Sequence, residues 1–141
     1  MTGVIWLVQV LVYPNFRLFD SIPFQKFHRF HTDRITWVVA PVMAIELITG
    51  LLLCIYQSGP IYFLNFILVL ITWILTGALS VPIHRQLENG LHGKVNLLIW
   101  SNWPRTITWT LRSSLWFWIL HDQASLFFLA PVTKGFHIFG F

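Results

Sequence analysis

The 22 residues from Ile35 to Tyr56 hold a single charged side chain, Glu46. A run of that length and apolarity suits a membrane-crossing helix, because about 20 residues at about 1.5 Å each span a hydrocarbon layer of about 30 Å. A carboxylate near the centre of such a helix costs about 3 kcal/mol or more unless a partner meets it. Glu46 therefore calls for a buried counter-charge or a function.

The rest of the chain carries the same signature. Only 10% of the 141 residues are charged and 56% are hydrophobic, whereas a soluble domain carries about a quarter charged residues. The length suits one helical domain over residues 1–120, followed by an aromatic tail, 121–141, lying at the interface or packed on the bundle. Net charge is +4, but the basic residues sit in the segments between apolar runs. That distribution points to membrane topology and membrane lipid rather than a nucleic-acid partner. Cys54 stands alone and makes no internal disulfide.

Charges and prolines divide the chain. Met1 to Tyr13 is apolar and ends at Pro14. Residues 15–34 are polar and aromatic. The second apolar run, Ile35 to Tyr56, closes at the turn signal Gln57-Ser58-Gly59-Pro60, and the third covers Ile61 to Val81. Residues 82–94 are polar, and the fourth run, Val95 to Leu120, is interrupted by Arg105 and Arg112. The last three runs each approach a spanning length. The first is too short, so either its helix continues to about Phe19 or the natural start lies upstream and Met1 is internal. The second explanation is preferred, because a free amino terminus in hydrocarbon is costly. Basic residues cluster in 15–34 and 82–94 and are missing from 57–60. The two long connectors are therefore expected in the cytoplasm, with both termini outside.

Helical phase places the polar groups. Trp6, Gln9 and Tyr13 share a face on the first run, and Val39, Met43, Glu46 and Gly50 on the second. Thr72, Thr76, Ser80 and His84 do so on the third, and Leu98, Asn102, Arg105, Trp109 and Arg112 on the fourth. Lipid offers no hydrogen bonds, so these stripes must face one another. The expected fold is all-α: an antiparallel four-helix transmembrane bundle with amphipathic cytoplasmic connectors and a polar cavity.

Counting from the starts of their runs puts Glu46 and Arg105 at similar depth, about 16 Å. An ion pair between them is expected, with Asn102 and Gln9 or Tyr13 as hydrogen-bond partners. Arg112 is then left without an obvious acid. Such a centre is either a clasp that sets helix register or a site for a substrate or proton. His28 and His31 share a helical face if a helix starts near Ser21 and Pro23, and His84 is expected to approach them. Three histidines are a potential metal set, although no HExxH, repeated Glu-x-x-His or thiolate pattern accompanies them. Interfacial or helix-capping roles are the plainer explanation. Pro41 and Pro104 fall within apolar runs and are expected to kink their helices.

Three segments resemble a group of small, uncharacterised bacterial integral membrane proteins. They run from Trp6-Leu7-Val8-Gln9-Val10 through Tyr13-Pro14, from His28 to Glu46, and from Val81-Pro82-Ile83-His84 through Asn102-Trp103-Pro104-Arg105-Thr106. The resemblance extends over residues 4 to 113 and implies that Gln9, Tyr13, His31, Glu46, His84, Asn102, Arg105 and Arg112 are the group's polar positions. Val12 departs from it, standing where a His often precedes the Tyr-Pro, and Pro104 is also unusual. A looser similarity to anthrone oxygenase-like membrane proteins implies oxidation of a lipophilic, phenol-like substrate without a required cofactor.

Three functions follow as expectations. In an intramembrane enzyme acting on a lipophilic small molecule, Glu46 would be the base, with Arg105 and Asn102 stabilising an oxyanion. Gln9, Tyr13, Trp109 and Arg112 would bind the ligand. In a non-catalytic structural or accessory membrane protein, the same polar core would only fix helix packing. A small transporter or proton pathway would require an oligomer.

Overall fold

The computed structural model describes residues 1–18 and 21–129. Four helical rods make up the bundle. The first, α1, covers residues 2–18 and changes pitch along its length: α-helical over Thr2–Leu7, π-helical over Val8–Val12, α-helical again over Tyr13–Asn15, and 3-10 over Phe16–Leu18. The second, α2, is continuous over Ser21–Tyr56. The third, α3, covers residues 60–88 with a π-helical turn at Thr76–Ser80. A 3-10 turn, His92–Lys94, leads into α4, Val95–Leu129.

The helices outrun the apolar runs. α2 starts at Ser21, so most of the polar segment 15–34 is its first turns rather than a loop, and α3 likewise absorbs residues 82–88. At 36 residues, α2 is about 54 Å long. Part of the expected tail is also helical, since α4 continues to Leu129. The remainder of that tail lies outside the described residues.

Among the described residues, two helices are long and apolar enough to cross a membrane: Phe24–Tyr56 and Pro60–Glu88. α4 has the length, at 35 residues, but not the apolarity. The reason is its inward face, where Asn102, Arg105, Thr106, Thr108 and Arg112 are all buried. The expectation that the fourth run spans on apolarity alone is corrected accordingly.

Both π turns have the same local cause. Each ends one residue before a proline-bearing dipeptide, Tyr13-Pro14 or Val81-Pro82. A proline inside a helix removes an N–H and its ring crowds the carbonyl four residues back, and a widened turn relieves that crowding. Pro41 and Pro104, by contrast, lie within helices that remain α-helical through them.

Tight ends and close contacts fix the bundle. α3 closes in a Schellman arrangement: Leu91 N–H donates to Gln86 O at 3.2 Å and Gly90 N–H to Leu87 O at 3.1 Å. Gly90 takes φ 89° there, the left-handed region that glycine enters without a Cβ penalty. At the same end, Phe16, 1% exposed, packs edge-on against Phe24 with centroids 5.5 Å apart. Val8, Ile83, Leu87, Val95 and Leu98 complete that apolar cluster. On α2, Gly50 lets the helix approach α3: a Cβ there would meet Val69 Cγ2 at 3.4 Å and Phe66 Cδ2 at 3.5 Å. Gly50→Leu is expected to push the two helices apart and lower stability by about 1–3 kcal/mol, read as a fall in the thermal unfolding midpoint of the purified protein.

Candidate functional site

Polar side chains from all four helices meet in three tiers along the bundle interior. The first is centred on Glu46. Its Oε2 accepts from Arg112 NH1 at 2.6 Å and from Trp109 Nε1 at 3.0 Å. Arg112 Nε donates in turn to Asn65 Oδ1 at 3.3 Å. The backbone nitrogen of Met1 lies 3.8 Å from Glu46 Oε1. Arg112 and Asn65 are buried, and Glu46 keeps 24% of its side chain exposed. A short, charge-assisted bond between partly buried groups is the strong kind.

The second tier joins α1, α3 and α4. Asn102 Nδ2 donates to Gln9 Oε1 at 2.7 Å, and Gln9 Nε2 donates to the Ile99 carbonyl at 3.2 Å. Arg105 NH1 donates to Ser80 Oγ at 2.8 Å and to Asn102 Oδ1 at 3.3 Å. The Arg105 guanidinium carbon also sits 5.3 Å from the centre of the Trp109 ring, a cation–π distance. Trp109 thus links the two tiers, its N–H serving Glu46 and its face serving Arg105. Among the described residues no carboxylate pairs with Arg105, and its Nε is buried with no hydrogen-bond partner.

The third tier is aromatic. Tyr13 Oη lies 3.1 Å from His84 Nε2, and His84 Nδ1 lies 2.9 Å from His28 Nε2. The His28 and His84 rings stack with centroids 5.1 Å apart, and His31 packs edge-on against Phe16 and Tyr13. His28 Nδ1 and His31 Nε2 are buried with no hydrogen-bond partner. The three bonded groups form a line in which His84 uses both ring nitrogens and His28 only Nε2, the donor at each contact being set by the imidazole tautomers.

A cavity of about 480 Å³ runs beside the second and third tiers. Its walls are mostly apolar, including Val8, Val39 and Met43, and Tyr13, His84 and Arg105 reach them. Arg85 and Glu88, both exposed, also line it, so the cavity extends to the charged end of the bundle. Glu46 does not line it.

The expected stripes converge, but their pairing differs. Glu46 binds Arg112, not Arg105, and Arg112 is the arginine that has an acid. The depth count assumed that the two apolar runs start at one level, but α2 already begins at Ser21, 14 residues before Ile35, so the run starts do not mark a common height. Asn102 and Arg105 are adjacent as expected, and Gln9 bonds Asn102. Tyr13 interacts with Arg105, as expected, and also meets His84. The three histidines are brought together, but two of them bond each other. Among the described residues no group of three His, Cys, Asp or Glu side chains is placed to hold a metal ion. Asn65 escaped the sequence reading, although it extends the α3 stripe by two turns, seven residues before Thr72 and four before Val69.

Comparison of the chain with family models, with curated protein sequences and with solved structures gave no match. The family resemblances read from the sequence therefore gain no support from relatives. The architecture itself is an all-helical, four-helix bundle with a buried polar cluster.

The first tier makes a specific energetic prediction. Arg112→Met leaves Glu46 without its cation and is expected to destabilise the fold by about 3 kcal/mol, the lower end for breaking a buried pair, because Glu46 retains some exposure. Adding Glu46→Leu should restore most of the loss. A double-mutant cycle of unfolding free energies checks this, and independent, additive losses would show that the two residues are not coupled.

Proposed function

We propose that this protein is an integral membrane bundle with a structural or accessory role, in which the polar core fixes helix packing. One observation carries the membrane part of this reading: the most apolar stretches of α2 and α3 are only 11% and 22% buried. The core helix of a soluble protein would be mostly covered. Here Trp37, Ile45, Ile48, Ile55, Phe63 and Ile74 all point outward, an apolar exterior well beyond the few hundred Å² usual on soluble monomers.

Satisfaction of the Glu46 tier supports the structural part. The carboxylate Oε2 is occupied by an arginine and an indole, the arginine is held in turn by Asn65, and Glu46 does not line the cavity. A general base needs a path to substrate and a free lone pair. Glu46 does not line the cavity and its Oε2 is already engaged twice, which favours the structural reading over an enzymatic one centred on it. In lipid, where water cannot compete for polar groups, the Glu46–Arg112 and Gln9–Asn102–Arg105–Ser80 contacts set helix register.

Topology follows from charge. The end of α1, the start of α2, the end of α3 and the start of α4 lie at one end of an antiparallel bundle, and they carry Arg17, Lys26, Arg29, Arg34, Arg85 and Lys94. That end faces the cytoplasm and the uncharged Gln57–Gly59 connector faces outside, as in a bacterial inner membrane. Because α2 is longer than a bilayer core is thick, its first turns project into the cytoplasmic interface.

Topology and membrane integration are tested together in a Cys54→Ala background. A membrane-impermeant maleimide applied to intact cells should modify Ser58→Cys and spare Asn89→Cys until the cells are lysed. The protein should also stay in the membrane pellet after alkaline washing. Release by that wash would remove the integral reading, and the reverse labelling pattern would invert the topology.

A further inference from the structure

Arg105 is the one cation of the polar core, among the described residues, that meets no carboxylate. It is 6% exposed. Its contacts are a hydroxyl, an amide oxygen, an indole and a phenol: Ser80, Asn102, the Trp109 ring and Tyr13. A buried guanidinium without a counter-charge costs far more than a paired one. Arg112, seven residues further along the same helix face, is neutralised by Glu46, so the bundle supplies an acid at one level and none at the other.

The unpaired cation stands at the wall of the cavity, and the Tyr13 hydroxyl and His84 ring reach the same wall. The volume, about 480 Å³, falls within the range of about 300–1,000 Å³ typical of small-molecule sites, and the mixture of apolar walls with a few convergent polar groups is theirs as well. The apolar side, Val39 and Met43 of α2 with Val8 of α1, offers nothing to a polar ligand. One end of the occupant is therefore anionic and the rest is hydrocarbon. A single guanidinium balances a single negative charge and matches the two oxygens of a carboxylate.

We propose that the cavity binds a fatty acid, its carboxylate held by Arg105 beside Tyr13 and its chain laid along Val8, Val39 and Met43. The occupant supplies the acid that the bundle lacks at this level. This goes beyond the packing role of the polar core, and neither Glu46 nor Arg112 takes part in it.

Gly77 provides a way to test the cavity without touching the polar tiers. It lines the cavity, and a Cβ built on it meets nothing within 4 Å, so Gly77→Leu adds bulk at the cavity wall with no steric cost at its Cβ. Radiolabelled dodecanoate would be titrated onto the purified full-length protein in a non-ionic detergent, with unlabelled dodecanoate, methyl dodecanoate or sodium acetate as competitor. Saturable binding is expected, displaced by dodecanoate and resisted by both the ester, which lacks the charge, and acetate, which lacks the chain. Arg105→Gln and Gly77→Leu should each weaken binding by about tenfold or more, the scale of a lost charge-assisted bond or a blocked pocket. Melting curves recorded alongside separate lost affinity from lost fold. If Arg105→Gln unfolds, Gly77→Leu and the ester decide the matter. Equal competition by the ester, non-saturable uptake, or wild-type affinity in Gly77→Leu would overturn the proposal.

Discussion

Hydrogen-bond and charge satisfaction inside an apolar bundle is the constraint on which this structure depends. Glu46 sits on a helix whose other side chains in that stretch carry no charge, and its partners must come from elsewhere. Arg112 and Trp109 of α4 provide them, and Asn65 of α3 holds Arg112 in place. Three helices are thereby fixed in register at one level. A second level, Gln9–Asn102–Arg105–Ser80, ties α1 to α3 and α4. Apolar packing alone between such helices would leave their rotation weakly defined, because a leucine contacts one apolar neighbour about as well as another.

The two arginines of α4 show how the same residue type, two turns apart, comes to different ends. Arg112 is closed off in an ion pair. Arg105 is held by neutral groups on one side and stands at a cavity wall on the other. Trp109 lies between them and touches both environments. That asymmetry separates the packing role of the Glu46 tier from the binding role proposed for Arg105, and it makes the two experimentally independent.

Pitch changes in α1 and α3 position the remaining polar groups. The π turns at Val8–Val12 and Thr76–Ser80 carry Gln9 and Ser80, both of which bond residues of the second tier. Tyr13 and His84 follow immediately after these turns and meet across the interface. A regular α-helix would advance each of these side chains by a different angle. The prolines that provoke the wide turns therefore act on polar groups one to five residues away.

Much of this was legible in the chain itself. Four apolar runs became four helices, and the three- and four-residue recurrence of Asn102, Arg105, Trp109 and Arg112, or of Thr72, Thr76 and Ser80, picked out the faces that turn inward. Periodicity is a local property, so a linear sequence carries it in full. Which inward residues pair is not local. It depends on where each helix starts relative to its neighbours, and the polar first turns of α2 concealed that start. It depends also on pitch, which two prolines altered. Sequence alone determined that Glu46 called for a buried counter-charge or a function, and that the fourth run offered two arginines on one face. Only the tertiary arrangement, through the relative translation of α2 and α4, decided that the cation is Arg112 and left Arg105 facing the cavity.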